Sequence, residues 1–200
     1  MDIATTTTTE NSIFNQLHLA SFEPIKKIKK RFNCKLCGRK GCIFVMYNCR
    51  VYIENVGDYV PKVKLPFNVD IIKHRLERDG KSTAVHAVLL APEQTKIFDN
   101  FVDVPEYEFS FGFNLNTIGT LKSLPQLNKL PWIHLSNYST EYWRPQKGLS
   151  SEYLATIEAI YFACKEYYIS TNGINNNFNE NSFDNLLFWF YYFKQFLNKK

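Results

Sequence analysis

Between positions 154 and 168 the apolar side chains Leu154, Ile157, Tyr161, Cys164 and Tyr168 recur at spacings of 3, 4, 3 and 4. That period belongs to an α-helix with one buried face, and such a face needs a partner layer. The spacing predicts a helix over 150-SSEYLATIEAIYFACKEYYI-169, with Ser150 or Ser151 as its cap. An Asn-rich link, 172-NGINNNFNEN-181, leads to a second helix, 183-FDNLLFWFYYFKQFLNKK-200, whose aromatic run reads as core. The remaining elements are of another kind. Val69, Ile71 and Ile72 in NVDII predict a buried strand, and 132-WIHLS-136 a second. Between them, 79-DGKSTAVHAVLLAP-92 opens on Asp-Gly and offers Ser82 or Thr83 as an N-cap. It continues as a short apolar helix that Pro92 helps to end. Strands alternating with helices predict an α/β fold rather than an all-α bundle.

Two hundred residues suffice for one ordinary domain and a small appendage. A 45% hydrophobic content is enough to build a real core. The most apolar run, 186-LLFWFYYF-193, stops at Lys194 and is too short to cross a bilayer. The opening MDIATTTTTENS has an acid at position 2 and no apolar h-region, so neither a signal peptide nor a membrane partner is expected. The expectation is an intracellular protein with reduced thiols. Residues 1–22 read as a flexible leader, 23–50 as a basic and cysteine-bearing module, and 51–200 as the α/β domain.

The net charge of +5 is local. Residues 26–40 carry Lys26, Lys27, Lys29, Lys30, Arg31, Lys35, Arg39 and Lys40 and no acid. Without these eight, the 24 basic residues fall to 16 against 19 acidic ones. A concentrated basic stretch suits a polyanion such as nucleic acid. A solvated tail, or a nuclear-import signal in KKIKKR, accounts for the same charges.

Cys34, Cys37, Cys42 and Cys49 fall within sixteen residues. The Cys34-x2-Cys37 pair makes a turn that two thiolates can share around one tetrahedral ion, and Gly38 suits the turn after it. Cys42 and Cys49, separated by six residues rather than two, supply the other half of a possible structural zinc site. Unmetallated thiols are the alternative. Redox chemistry fits less well, because the pair does not open a helix that follows a strand. Cys164 lies on the apolar stripe and reads as packing.

The run 63-VKLPFNVDIIKHRLERDGKSTAVHAVLLAPE-93, followed by 104-VPEYE-108, 143-WRPQKG-148, 154-LATIEAIY-161 and 184-DNLLFWFYYF-193, resembles the DTW-domain family. Within it, the chain is most similar to the eukaryotic tRNA-uridine aminocarboxypropyltransferases of the type 1 group. The resemblance implies a SPOUT-related (TDD-type) α/β fold with a small N-terminal cysteine knuckle. It implies S-adenosylmethionine as donor and transfer of the 3-amino-3-carboxypropyl group to N3 of a uridine in the tRNA D-loop. It implies a knuckle of two CxxC pairs, of which Cys34, Cys37 and Cys49 match and Met46 stands in place of the fourth cysteine. The expected partner is tRNA, with no stable protein partner, and the expected location is the nucleus, with the cytoplasm as the alternative.

The name-giving Asp-x-Thr-Trp motif of the family is absent. Its place falls on Asn114, Leu115, Asn116 and Thr117, and no Asp or Glu stands between Glu108 and Glu141. The chain thus reads as a family member lacking an internal segment near 109–117, with an incomplete central sheet, through omitted coding sequence or true loss. By resemblance, His74 at the end of the NVDII strand, Ser82 and Thr83 at a helix start, and Thr156 and Glu158 in LATIEAI would contact the donor. A surface histidine, a plain N-cap and a charge-paired carboxylate are the structural alternatives. Glu158 borders the apolar stripe, where an unpaired carboxylate costs energy. Arg144 and Lys147 would contact RNA or pair with it. Tyr142 and Trp143 would stack on a base or pack in the core.

Overall fold

A computed structural model of the chain describes residues 16–28, 34, 38, 49–50, 52, 54–74, 76–107, 112–113, 125, 127–143, 148, 150–172 and 181–197. Of the residues singled out above, Lys29, Lys30, Arg31, Lys35, Cys37, Arg39, Lys40, Cys42, Met46, Asn114, Leu115, Asn116, Thr117, Arg144 and Lys147 lie outside them.

β-Branched residues make strand β1, Val69–Ile72, which pairs in parallel with β2, Thr95–Phe98, in the register Val69↔Thr95 to Ile72↔Phe98. A parallel pair needs a crossover, and helix α2, Ala84–Leu90, supplies it. Pro92 follows its last turn, so the chain leaves the helix there and enters β2 three residues later. Gln94 extends the pairing beyond the strands. Its Oε1 accepts the Leu65 amide at 2.8 Å and its Nε2 donates to the Leu65 carbonyl at 2.8 Å, as a strand neighbour would. A second parallel pair joins β3, Gly112–Phe113, to β4, Trp132–Ile133. The architecture is mixed α/β, with two small parallel sheets among the described residues.

Helices α3, Thr156–Asn172, and α4, Phe188–Leu197, form the main apolar layer. Ile157, Tyr161 and Cys164 are fully buried along the predicted stripe of α3. Phe188, Trp189 and Phe190 on α4 are fully buried as well, each worth about 2–3 kcal/mol of apolar burial. The Trp189 Nε1–H donates to the Tyr52 hydroxyl at 3.1 Å, which in turn donates to the Leu89 carbonyl at 3.0 Å. The indole thus brings no unpaired polar group into the core. Among the described residues no helix is long and apolar enough to cross a membrane.

Three expectations change. Helix α3 starts at Thr156, not at Ser150, because Ser151 spends its carbonyl on the Thr140 amide at 2.7 Å. Strand β1 is half-buried throughout rather than buried, and β2 arises from TKIF, which carries little alternation. Residues 16–22, read from sequence as the end of a flexible leader, lie against the core: the His18 amide donates to Asp184 Oδ2 at 2.7 Å and the Ala20 amide to Asn185 Oδ1 at 2.8 Å. Phe22 then packs on Phe188 with ring centroids 4.8 Å apart.

Candidate functional site at the strand ends

β1 and β2 end side by side, and four charges, those of Arg50, Lys73, Asp79 and Asp99, gather there. Ligands of open α/β sheets gather at such strand ends. The Lys73 amide donates to the Phe98 carbonyl at 2.9 Å, which carries the pairing one step past the strands. The Lys73 side chain is almost wholly buried, with Nζ 3.2 Å from Asp79 Oδ1 and 3.0 Å from Asp99 Oδ1. It also donates to the Glu77 carbonyl at 2.5 Å. Arg50 faces the same two carboxylates. Its Nε and Nη2 reach the two oxygens of Asp79 at 3.2 Å, and Nη2 lies 2.7 Å from both oxygens of Asp99.

Two cations and two carboxylates leave this cluster formally neutral. Burial alone would raise the Asp99 carboxyl, but the hydrogen bonds from Arg50 and Lys73 outweigh it and hold the group below its ordinary range. Burial would likewise lower the Arg50 guanidinium, and its bonds to Asp79 and Asp99 more than reverse that.

Arg50 follows Cys49, which ties the cysteine segment to the strand ends. The Sγ atoms of Cys34 and Cys49 are buried and 3.4 Å apart. Gly38 takes φ +68°, a left-handed value that suits glycine, and its amide donates to the Cys34 carbonyl at 2.8 Å. Among the described residues, no group of three or more His, Cys, Asp or Glu side chains could hold a metal ion.

The N-terminus of α3 is held by borrowed groups. Ala155, at the N-cap position, has no side-chain acceptor of its own. Glu158, three residues on, accepts the Ala155 amide on Oε2 at 2.7 Å, which is one half of a capping box. The same oxygen accepts the Thr140 hydroxyl at 2.5 Å, and Oε1 accepts the Glu141 amide at 2.8 Å. Thr83 supplies the missing hydroxyl from the start of α2, its Oγ1 accepting the Ile157 amide at 3.2 Å. Glu158 has no exposed surface. Burial raises its carboxyl above the usual range, against the lowering effect of Thr140 and the amides of Ala155 and Glu141.

The residues expected at the site therefore divide. His74 is exposed just past β1, with Nδ1 accepting the Leu76 amide at 3.2 Å. Thr156 is half-buried in the first turn of α3. Ser82 and Thr83 are buried, and Ser82 Oγ accepts the Ala84 amide at 3.3 Å. Lys26 and Lys27 are exposed on α1, Glu23–Lys26, and just beyond it, flanking buried Ile25, with Lys26 paired to Glu23 at 2.8 Å. Tyr142 and Trp143 pack together and against Phe190 of α4.

Sequence reading passed over Arg50, Lys73, Asp79, Asp99 and Thr140. Isolated charges carry no periodic signal, so nothing local joins positions 50, 73, 79 and 99. Glu158 alone had a readable cue, a carboxylate bordering the apolar stripe of the predicted helix.

Against known proteins, the chain is 30% identical over 262 residues to tRNA-uridine aminocarboxypropyltransferase 1 of Xenopus laevis, covering 94% of this chain and 88% of that protein. It is 30% identical over 267 residues to the Homo sapiens protein of the same description, covering 96% and 86%. For the Mus musculus protein the identity is 28% over 260 residues, covering 93% and 84%. The frog alignment is longer than the whole 200-residue chain, so more than sixty of its positions hold residues of the relative with no counterpart here. No family model and no solved structure matches the chain.

Proposed function

This chain belongs to the tRNA-uridine aminocarboxypropyltransferase 1 family, and we propose that it serves the reaction this name describes, transfer of an aminocarboxypropyl group to a uridine of tRNA. The observation that carries the proposal is similarity running over 93–96% of the chain to relatives bearing one description. In its finer form, the fold is SPOUT-related, the donor is S-adenosylmethionine and the acceptor is N3 of a D-loop uridine. The donor's sulfonium makes the adjoining carbon electrophilic, so the protein's tasks are to orient the two partners and to help remove the N3 proton.

The residues assigned to the donor do not all fit it in this chain. Ser82, Thr83 and Glu158 are buried and commit their oxygens to amides and to Thr140. Their part is to hold the starts of α2 and α3, and no contact with donor or proton is assigned to them. His74 is exposed, and with Nδ1 accepting the Leu76 amide its Nε2 is the nitrogen left to meet a ligand. The basic run from Lys26 to Lys40, with Arg144 and Lys147, would contact tRNA phosphates. Within that run, KKIKKR would serve as an import signal in a nuclear protein.

Structural zinc suits the cysteine pair. Two thiolates on one tetrahedral zinc stand about 3.8 Å apart, near the 3.4 Å between Cys34 and Cys49. Cys37 and Cys42 would complete the set.

A second reading, a tRNA-binding member without turnover, is favoured by two observations. The relative has more than sixty aligned positions that this chain lacks, and no acid stands between Glu108 and Glu141. Deleting the gene and complementing with this 200-residue form decides between them, read by mass spectrometry of tRNA nucleosides. Transfer is supported if 3-(3-amino-3-carboxypropyl)uridine disappears and returns. Return only with a longer transcript assigns turnover to the absent segment. An unchanged nucleoside profile on deletion rejects transfer and leaves the binding reading.

A further inference from the structure

The four charges at the strand ends are not equally committed. Lys73 and Asp79 form the inner pair, with side chains 5% and 22% exposed. Arg50 and Asp99 form the outer pair, at 29% and 41%. Arg50 spends Nε and Nη2 on the two carboxylates, and among the described residues its Nη1 has no partner. Asp99 Oδ1 meets both Arg50 Nη2 and Lys73 Nζ, whereas Oδ2 meets Nη2 alone and keeps an acceptor site unused. An open guanidinium nitrogen thus stands beside an open carboxylate oxygen. That pair is the complement of an amino acid, whose carboxylate and ammonium also stand side by side. Leu76 and Val102, three residues past Lys73 and Asp99, are the two most exposed large apolar side chains among the described residues. Charge with apolar neighbours suits a ligand that joins an amino-acid end to a less polar body.

We propose that Arg50 and Asp99 bind the amino-acid end of S-adenosylmethionine, Arg50 Nη1 donating to its carboxylate and Asp99 Oδ2 accepting from its ammonium. Lys73 and Asp79 are positioning residues behind them. The ligand brings one negative and one positive group, so the cluster stays neutral and none of its existing bonds has to break. The inference deepens the transfer reading given above and rests on it, because the aminocarboxypropyl group is the part of the donor that carries both charges.

Isothermal titration calorimetry on the full chain compares two probes, S-adenosylmethionine and 5′-methylthioadenosine, which lacks the charged end. The proteins are the unaltered chain, Asp99→Asn and Arg50→Lys, with circular dichroism to report folding. Asp99→Asn takes the negative charge from the ammonium. Arg50→Lys keeps the cation but has one nitrogen to share between the two carboxylates and the ligand. Each variant is expected to bind S-adenosylmethionine about tenfold to a hundredfold more weakly, the worth of one charge-assisted hydrogen bond, and 5′-methylthioadenosine within about twofold of the unaltered chain. Arg50→Lys decides the matter if Asp99→Asn does not fold. Variants that bind S-adenosylmethionine as tightly as the unaltered chain overturn the inference and leave the transfer reading intact. Loss of both probes to the same degree does so too, since a purely structural ion-pair cluster would give that result. An unaltered chain that binds the two probes equally also overturns it. An unaltered chain that binds neither probe overturns the inference together with the donor assignment.

Discussion

Glu158→Ala removes one carboxylate that serves three donors, and the structure sets the cost. The Ala155 amide is buried and loses its acceptor outright. An orphaned buried donor costs about 1–3 kcal/mol. The Thr140 hydroxyl and Glu141 amide are half-buried and can turn to water, so they add less. Removing a fully buried carboxylate also returns part of its desolvation cost. The balance is a loss of about 3 kcal/mol, or about 6–12 °C in Tm for a chain of this size. Glu158→Gln keeps one carbonyl oxygen but turns an NH2 towards a donor, at a cost of about 1–2 kcal/mol. Urea unfolding, followed by fluorescence of the buried Trp189, measures both. Calorimetric titration with S-adenosylmethionine measures the competing role. A Glu158→Ala chain that keeps its unfolding midpoint and loses donor affinity would refute the capping account and return Glu158 to the donor site.

Four further outcomes follow from the same packing and hydrogen bonds. Burial raises the Glu158 carboxyl in the folded state. Its stability contribution is therefore fully present below the ordinary carboxylate value of about 4.3 and is lost as pH rises through the folded pKa. The unfolding free energy of the unaltered chain minus that of Glu158→Gln should fall over this window, and a flat difference rejects the shift. Thr83→Val takes the acceptor from the Ile157 amide and should cost about 1–2 kcal/mol in urea unfolding, while Thr83→Ser should restore most of it. The Cys164 thiol, pushed up to about 12 by burial, should resist alkylation at pH 8 in the folded chain, as peptide mass spectrometry would show. Trp189→Ala should cost about 3–5 kcal/mol by opening a cavity and removing the donor to the Tyr52 hydroxyl, read as a lowered urea midpoint.

Elements whose order is local were legible from neighbouring residues alone. The 3-4-3-4 stripe placed Ile157, Tyr161 and Cys164 on one buried face, because helical period is a property of neighbouring residues. The β-branched NVDII run fixed β1, and the Ser-Thr start and Pro92 bracketed α2. Long blocks in register carried the family. Tertiary structure alone decided what each polar group does. Glu158 meets its hydrogen-bond partners only because the chain brings Thr140 and Glu141 to the start of α3, where Thr83 also arrives from α2. Likewise Arg50, Lys73, Asp79 and Asp99 form one cluster only because a parallel pair sets the ends of β1 and β2 side by side. Side-chain partners across such separations are chosen by packing, and packing leaves no period in the sequence to read.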